Sequence, residues 1–174
     1  RGPLLRPDDP AYDAARSMWN AMIDKRPTLI ARCTGAADVI EAVNFARDQN
    51  LRVAVRGGSH SAAGHAMCDG GIVIDLVGLK GVKIDQRRLT AHAQGGLLWG
   101  EFDHETQAVG LATTGGTVSN TGIGGLTLGG GLGWLMGKHG FACDNVLSAD
   151  VVTADGTLIT ASPDEHADLL WALK

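Results

Sequence analysis

Clustered glycine is the feature that most limits what this chain can become. Of its 174 residues, 25 are glycine, and most of these fall between Gly95 and Gly140. They follow no Gly-X-Y period, which excludes collagen, and apolar residues interrupt them throughout, which excludes a flexible linker. The densest part reads Thr113-Thr114-Gly115-Gly116-Thr117, then Gly122-Ile123-Gly124-Gly125-Leu126-Thr127-Leu128-Gly129-Gly130-Gly131-Leu132-Gly133-Trp134. A backbone with so few side chains and charges is suited to lie against something flat and large. Its amides can hydrogen-bond the carbonyls and ring nitrogens of a heterocycle. A purely structural glycine cluster is the alternative.

A second constellation precedes it. Arg52-Val53-Ala54-Val55 reads as a short buried strand and runs into Arg56-Gly57-Gly58-Ser59-His60-Ser61, with Gly64 close behind. The glycines let the backbone turn tightly and approach a ligand. Successive amides, the hydroxyls of Ser59 and Ser61 and the charge of Arg56 suit a diphosphate. His60 is the unexpected member, because a phosphate cradle has no need of an imidazole at its centre. There it can serve as a nucleophile or ligand towards whatever the phosphate carries. A tight turn with an incidental histidine is the alternative.

Several function classes are excluded. The net charge is −4 and no basic stripe is present, which speaks against nucleic acid. No apolar run approaches a membrane span, and the first residues do not resemble a secretory signal. Cys33, Cys68 and Cys143 are widely spaced, and an odd number without a signal points to reduced thiols and a cytoplasmic setting. The Rossmann fingerprint fails, since Met136 and Trp134 stand where its last glycine would be required. Gly137-Lys138 resembles the end of a P-loop, but His139 replaces the magnesium-holding hydroxyl. His60 and His65 lack the spacing and partners of a zinc site. His92 and His104 read as surface or satisfied histidines, Cys143 as a buried thiol, Trp134 as core, and Lys138 and His139 as a solvated helix end.

Periodicity predicts a helix from Asp9 to about Lys25, with Tyr12, Ala15, Met18, Trp19 and Met22 along one face. A strand Thr28–Cys33, a helix capped by Thr34 and running to Asn50, and a strand Arg52–Arg56 read as a β-α-β unit. Gly71–Leu76 is a third strand. Val82–Asp85 and Leu89–Ala93 form a hairpin, Trp99–Ala108 a helix, and Ala149–Ala154 with Thr157–Ala161 a second hairpin about Asp155-Gly156. Ser162-Pro163-Asp164-Glu165 is a capping box opening a last helix that runs to Lys174 without a stop signal, so the chain reads as cut short. The expected class is α+β. It comprises a helical segment over 1–26, a small α/β subdomain over 27–79 and an α+β subdomain over 80–174, incomplete at its C-terminal end.

In this order and spacing the motifs resemble the FAD-linked oxidases with a vanillyl-alcohol-oxidase-type FAD-binding domain. The similarity is greatest to the berberine-bridge-enzyme-like branch, which includes sugar oxidases and 6-hydroxy-D-nicotine oxidase. Beyond the two constellations the resemblance rests on Cys68-Asp69-Gly70-Gly71-Ile72-Val73-Ile74-Asp75-Leu76, Gly95-Gly96, Asp144-Asn145-Val146 and Val151-Val152-Thr153-Ala154-Asp155-Gly156. It implies a two-subdomain FAD-binding domain with the substrate domain lying beyond this chain. It implies further that His60 bonds covalently to the 8α-methyl of the flavin and that Arg56 to Ser61 with Gly64 hold the pyrophosphate. Thr114, Gly115, Gly116, Thr121, Gly122, Gly124, Gly125, Leu126, Gly129, Gly130, Gly131, Gly133, Asp144, Asn145 and Val146 would line the rest of the cofactor.

Many relatives of this type carry a second link through a cysteine. Val118 stands at that position, so the resemblance implies a single covalent bond, and Cys143 lies too far along to substitute. The implied activity is hydride transfer from an alcohol or amine C–H to flavin, on a small-molecule substrate such as a sugar, alcohol or amine. Oxygen would be the acceptor, since Thr121 has nearly the volume of the valine that admits it. The catalytic base is expected beyond this chain, and homodimerisation is expected of the piece itself. The alternatives are a module that binds FAD or another nucleotide without catalysis, and an NADPH-dependent flavoprotein of the cell-wall-precursor reductase type.

Overall fold

The computed structural model describes all residues, 1–174. Two compact units emerge: residues 1–79 with 152–159, and residues 80–151 with 160–174. The class is α+β, as expected.

The first unit is built on a four-stranded sheet. Its strands are β1 (Leu4–Leu5), β2 (Leu29–Arg32), β3 (Val53–Arg56) and β4 (Ile72–Asp75), in the order β1-β2-β4-β3. Every residue of β4 is buried. Alternation along this strand feeds two cores, as a parallel strand covered on both faces requires. Val73 joins Tyr12, Ala15, Met18, Ile30 and Met67 on one side. Ile72 and Ile74 join Cys33 and, from helix α2 (Ala36–Asp48), Ala42 and Ala46 on the other.

Three features differ from the sequence reading. The strands of the β-α-β unit are not neighbours: β2 and β3 each pair in parallel with β4, which enters between them. β1, antiparallel to β2, gave no signal because it is two residues long. The long first helix shrinks to α1 (Tyr12–Arg16) and gives way to extended backbone at Ser17. Tertiary anchors override the helical period there, because the Trp19 N–H donates to the Ser59 carbonyl at 3.1 Å. Arg16 is held by Asp13 and Asp24. Met18 still reaches the core, whereas Trp19 and Met22 are 65% and 89% exposed. At α2 the N-cap is Gly35 rather than Thr34. Asp38 reaches back to accept the Thr34 N–H at 2.9 Å and its hydroxyl at 2.8 Å.

The second unit contains the antiparallel hairpin of β5 (Val82–Asp85) and β6 (Thr90–Ala93), as expected. It also holds α3 (Trp99–Gln107), α4 (Ile123–Leu128), α5 (Met136–His139), a 3₁₀ turn at Cys143–Asn145 and α6 (Ala167–Ala172). Leu97, Trp99, Phe102, Ile123 and Ala142 form its core, with Trp99 and Phe102 edge to face at 5.7 Å. β7 (Ala149–Val152) and β8 (Leu158–Ala161) pair as the second hairpin, whose residues 152–159 count with the first unit. The capping motif is half realised. The Ser162 hydroxyl accepts the Glu165 N–H at 3.0 Å, but α6 starts only at Ala167, after His166 in a left-handed conformation. The helix ends at Ala172 rather than Lys174, whose ammonium donates to the carbonyls of Asp144 and Val146. No helix is long and apolar enough to cross a membrane.

Candidate cofactor site

In the first unit the site begins with strand register. Arg32, Asp75 and Arg56 are cross-strand partners at the carboxyl ends of β2, β4 and β3. The loop from Gly57 to Gly64 leaves that edge, where open α/β sheets bind ligands. Asp75 is fully buried. Its carboxylate accepts Arg56 Nη1 at 3.0 Å and the Val77 N–H at 3.1 Å, and Arg32 Nε lies 3.5 Å away. Arg56 in turn donates through Nε to the Ser59 hydroxyl and through Nη2 to the Ser17 carbonyl at 3.4 Å. The positive charge read as a phosphate partner is thus met by a buried carboxylate, and its visible work is to shape the loop.

The loop is braced along its length. Ser59 is left-handed, with φ 63°. This conformation is uncommon outside glycine, and here the Arg56 bond holds it. The Ser61 carbonyl accepts the Gly64 N–H at 3.0 Å, and its hydroxyl accepts the His65 N–H at 3.0 Å. Gly64 has φ 76°, and Lys25 Nζ donates to its carbonyl at 2.8 Å and to that of Met67 at 3.1 Å. A strap from Ser17 to Asn20 runs along the loop. The Trp19 N–H holds the Ser59 carbonyl, and Asn20 Nδ2 donates to the Ala62 carbonyl at 3.0 Å. The Trp19 indole stacks on the His60 imidazole, with centroids 5.4 Å apart and planes 19° from parallel. Gly57 and Gly58 are half-buried in the same loop.

In the second unit the glycines divide into two groups. At Gly115 a Cβ would meet Trp99 ring atoms at 2.5 Å, and at Gly116 it would meet a Leu126 methyl at 2.5 Å. At Gly133 a Cβ would fall 1.7 Å from the Gly115 carbonyl oxygen. At Gly131, with φ 81°, it would strike Ala142. These four are glycines because the unit packs on itself there. Gly124 and Gly129 are intermediate: a Cβ would lie 3.3 Å from the Gly95 carbonyl oxygen at the first and 3.3 Å from that of Gly125 at the second. Gly125 and Gly130 would have nothing within 4 Å. Gly122 is buried and caps α4, and its carbonyl accepts the Leu126 N–H.

The side chains named from sequence are arranged as follows. Thr114 is buried, and its hydroxyl has no partner in the chain, nor has the buried Nε1 of Trp99. Thr121 is half-buried; its carbonyl accepts the Trp99 N–H at 2.9 Å and its N–H donates to Val118. Val118 is half exposed. Asp144 and Asn145 are turned onto their own loop. The former accepts the Phe141 N–H at 2.8 Å, and the latter donates to the carbonyls of His139 and Phe141. Val146 is half-buried.

A cavity of about 310 Å³ opens beside Gly115 and Gly116, lined also by Asp103, Thr106, Thr113 and Trp134. Burial pushes the Asp103 carboxyl upward. Trp134, read as core, is instead 86% exposed at the mouth of this cavity. The remaining candidates fall where expected. His92 and His104 are exposed and Cys143 is buried. Burial drives the Cys33 thiol up to about 11 and raises that of Cys68. The braces on the loop, namely Asp75, Trp19, Asn20 and Lys25, were missed from sequence. Only Asp75 carries a signal, as an acidic residue ending the apolar run Ile72-Val73-Ile74.

The chain belongs to the FAD binding domain family, which it matches over residues 27–162. It is 41% identical over 174 residues to (R)-6-hydroxynicotine oxidase of Paenarthrobacter nicotinovorans, covering 100% of this chain and 38% of that protein. A crystal structure of 6-hydroxy-D-nicotine oxidase from Arthrobacter nicotinovorans superposes with a TM-score of 0.98 at 41% identity, over 99% of this chain and 38% of that one. Glucooligosaccharide oxidase from Acremonium strictum, described with a 6-S-cysteinyl, 8α-N1-histidyl FAD, superposes with a TM-score of 0.94 at 31% identity, over 98% of this chain and 36% of its own. The resemblance read from the sequence holds at this level. The chain spans little more than a third of the length of these relatives.

Proposed function

We propose that this chain is the FAD-holding part of an FAD-dependent oxidoreductase and that His60 carries the flavin covalently. The observation that carries the reading is the loop at the carboxyl ends of the parallel strands, where the His60 imidazole follows two glycines and stacks on the Trp19 indole. The residues present fit the cofactor. Glycine-rich backbone at Gly125 and Gly130 faces open space, and the Thr114 hydroxyl offers a hydrogen bond that the chain itself does not use. The relative described with a histidyl-linked FAD supports the bond at His60. In that bond a His60 ring nitrogen replaces one hydrogen of the flavin 8α-methyl. The nitrogen's proton and the methyl hydrogen leave, with two electrons, on dioxygen as hydrogen peroxide.

When bound, the flavin supplies the redox chemistry. The residues of this chain bind and orient it. The loop Arg56–Ser61 with Gly64 holds the pyrophosphate, and Thr114 to Gly116, Thr121 to Leu126, Gly129 to Gly133 and Asp144 to Val146 hold the rest. Val118, having no thiol, leaves His60 as the single link. The whole protein oxidises a small alcohol, amine or sugar by hydride transfer, with a base supplied by residues outside this chain. Oxygen is the acceptor, consistent with the modest volume of Thr121. The setting is cytoplasmic, in keeping with three buried thiols.

The test is made on the full-length protein loaded with FAD. Yellow colour should survive acid precipitation, and intact mass should show one FAD adduct; His60→Ala should release the flavin and lose the adduct. A wild-type protein that binds FAD yet shows no adduct would refute the covalent reading.

A further inference from the structure

We infer that Trp19 is a positioning residue for the attachment of flavin to His60; the inference rests on the covalent reading of that histidine. Trp19 has no structural need to be aromatic where it stands. It is 65% exposed, lies outside both cores of its unit, and follows Met18, which does the packing. Its backbone is nevertheless tied to the loop through the Ser59 carbonyl, one residue before His60. Its neighbour Asn20 is tied two residues after His60, at Ala62. The strap therefore delivers the indole to the imidazole from fixed points on either side.

The stacked geometry matters for the chemistry. With planes 19° from parallel and centroids 5.4 Å apart, the indole forms an offset stack against the imidazole, whose nitrogens direct their bonds within the ring plane. A nitrogen nucleophile attacks in the plane of its ring, where its lone pair lies. A near-parallel stack leaves that in-plane direction open and adds a restraint on rotation about the Cβ–Cγ bond. Bond formation in such a site depends on holding the reacting atoms in near-attack geometry. A stacked aromatic pair of this kind biases orientation roughly three- to tenfold.

The experiment follows adduct formation over time in full-length apoprotein mixed with saturating FAD, read by acid precipitation and intact mass. Trp19→Ala should slow attachment about three- to tenfold, while Trp19→Phe, which keeps a stacking ring, should recover most of the rate. In a His60→Ala background, Trp19→Ala should leave noncovalent FAD affinity unchanged, which separates orientation from folding and from binding. Met22→Ala, which is exposed on the same segment, should attach at the wild-type rate. Attachment by Trp19→Ala at the wild-type rate would overturn the inference, as would a Trp19→Phe protein as slow as Trp19→Ala. Absence of an adduct in the wild type would instead overturn the role of His60.

Discussion

At the scale of single residues, the most consequential group is one the sequence presents as ordinary. Asp75 ends an apolar strand, is fully buried and sits between two arginines brought to it by register. It is the foundation of the histidine loop, because Arg56 reaches from it to Ser59 and to the strap at Ser17. Breaking a buried charge pair by removing one partner costs about 3–5 kcal/mol, since the other charge is left uncompensated. Asp75→Ala should lower the urea-unfolding free energy by that amount, and Asp75→Asn by less, because its amide oxygen can still accept the Val77 N–H. A wild-type urea midpoint in Asp75→Ala would show that Arg56 is satisfied elsewhere. His60 and its glycines were legible because a short motif carries its own chemistry. Asp75, Trp19 and Asn20 were not, because their relevance arises from pairing across strands and from a strap some forty residues earlier in the chain.

At the scale of elements, the glycine-rich segment separates two reasons for the same residue. Gly133 faces the Gly115 carbonyl at a distance that admits no Cβ, whereas Gly125 sits in α4 with open space beside it. Gly133→Ala should therefore destabilise the apoprotein, by at least the 1–3 kcal/mol typical of overpacking. Gly125→Ala should stabilise it by up to about 1 kcal/mol, the helix-propensity difference, yet weaken FAD binding. Chemical denaturation of apoprotein paired with FAD titration measures both. A Gly125→Ala protein with undiminished affinity would remove this glycine from the cofactor surface. The clusters were legible as a whole because so much glycine without a period has few explanations. Their division was not, since it depends on where Trp99, Leu126 and Ala142 lie. Hairpins and apolar strands were likewise readable from alternation and turn residues. The first helix was misread because a three-residue apolar spacing persists past Arg16 although the backbone has straightened.

At the scale of the whole molecule, both units expose large apolar side chains, the second unit's including two tryptophans. Trp134 is 86% exposed, Trp171 81%, Leu147 64% and Leu132 63%. Single exposed apolar residues need no explanation, but several large ones on one small chain favour association. A protein of this length should sediment with a substantial dimer or larger fraction at micromolar concentration, and Trp134→Ser with Trp171→Ser should shift it towards monomer. A wild-type chain that stays monomeric to high concentration would count against self-association through these faces.

The position of β4 also sets a schedule. β2 and β3 are each made before β4, yet each finds its parallel neighbour only in it. A ribosome that has released the chain as far as Ser61 has produced His60 but not the carboxylate that shapes its loop. Arg56 has no Asp75 to hold until residue 75 has emerged. Another part of the same unit arrives much later still, when Arg47 meets the Asp155 carbonyl at the tip of the second hairpin. On the covalent reading, attachment of flavin at His60 therefore waits for the first unit to close, which needs residues as late as Asp155.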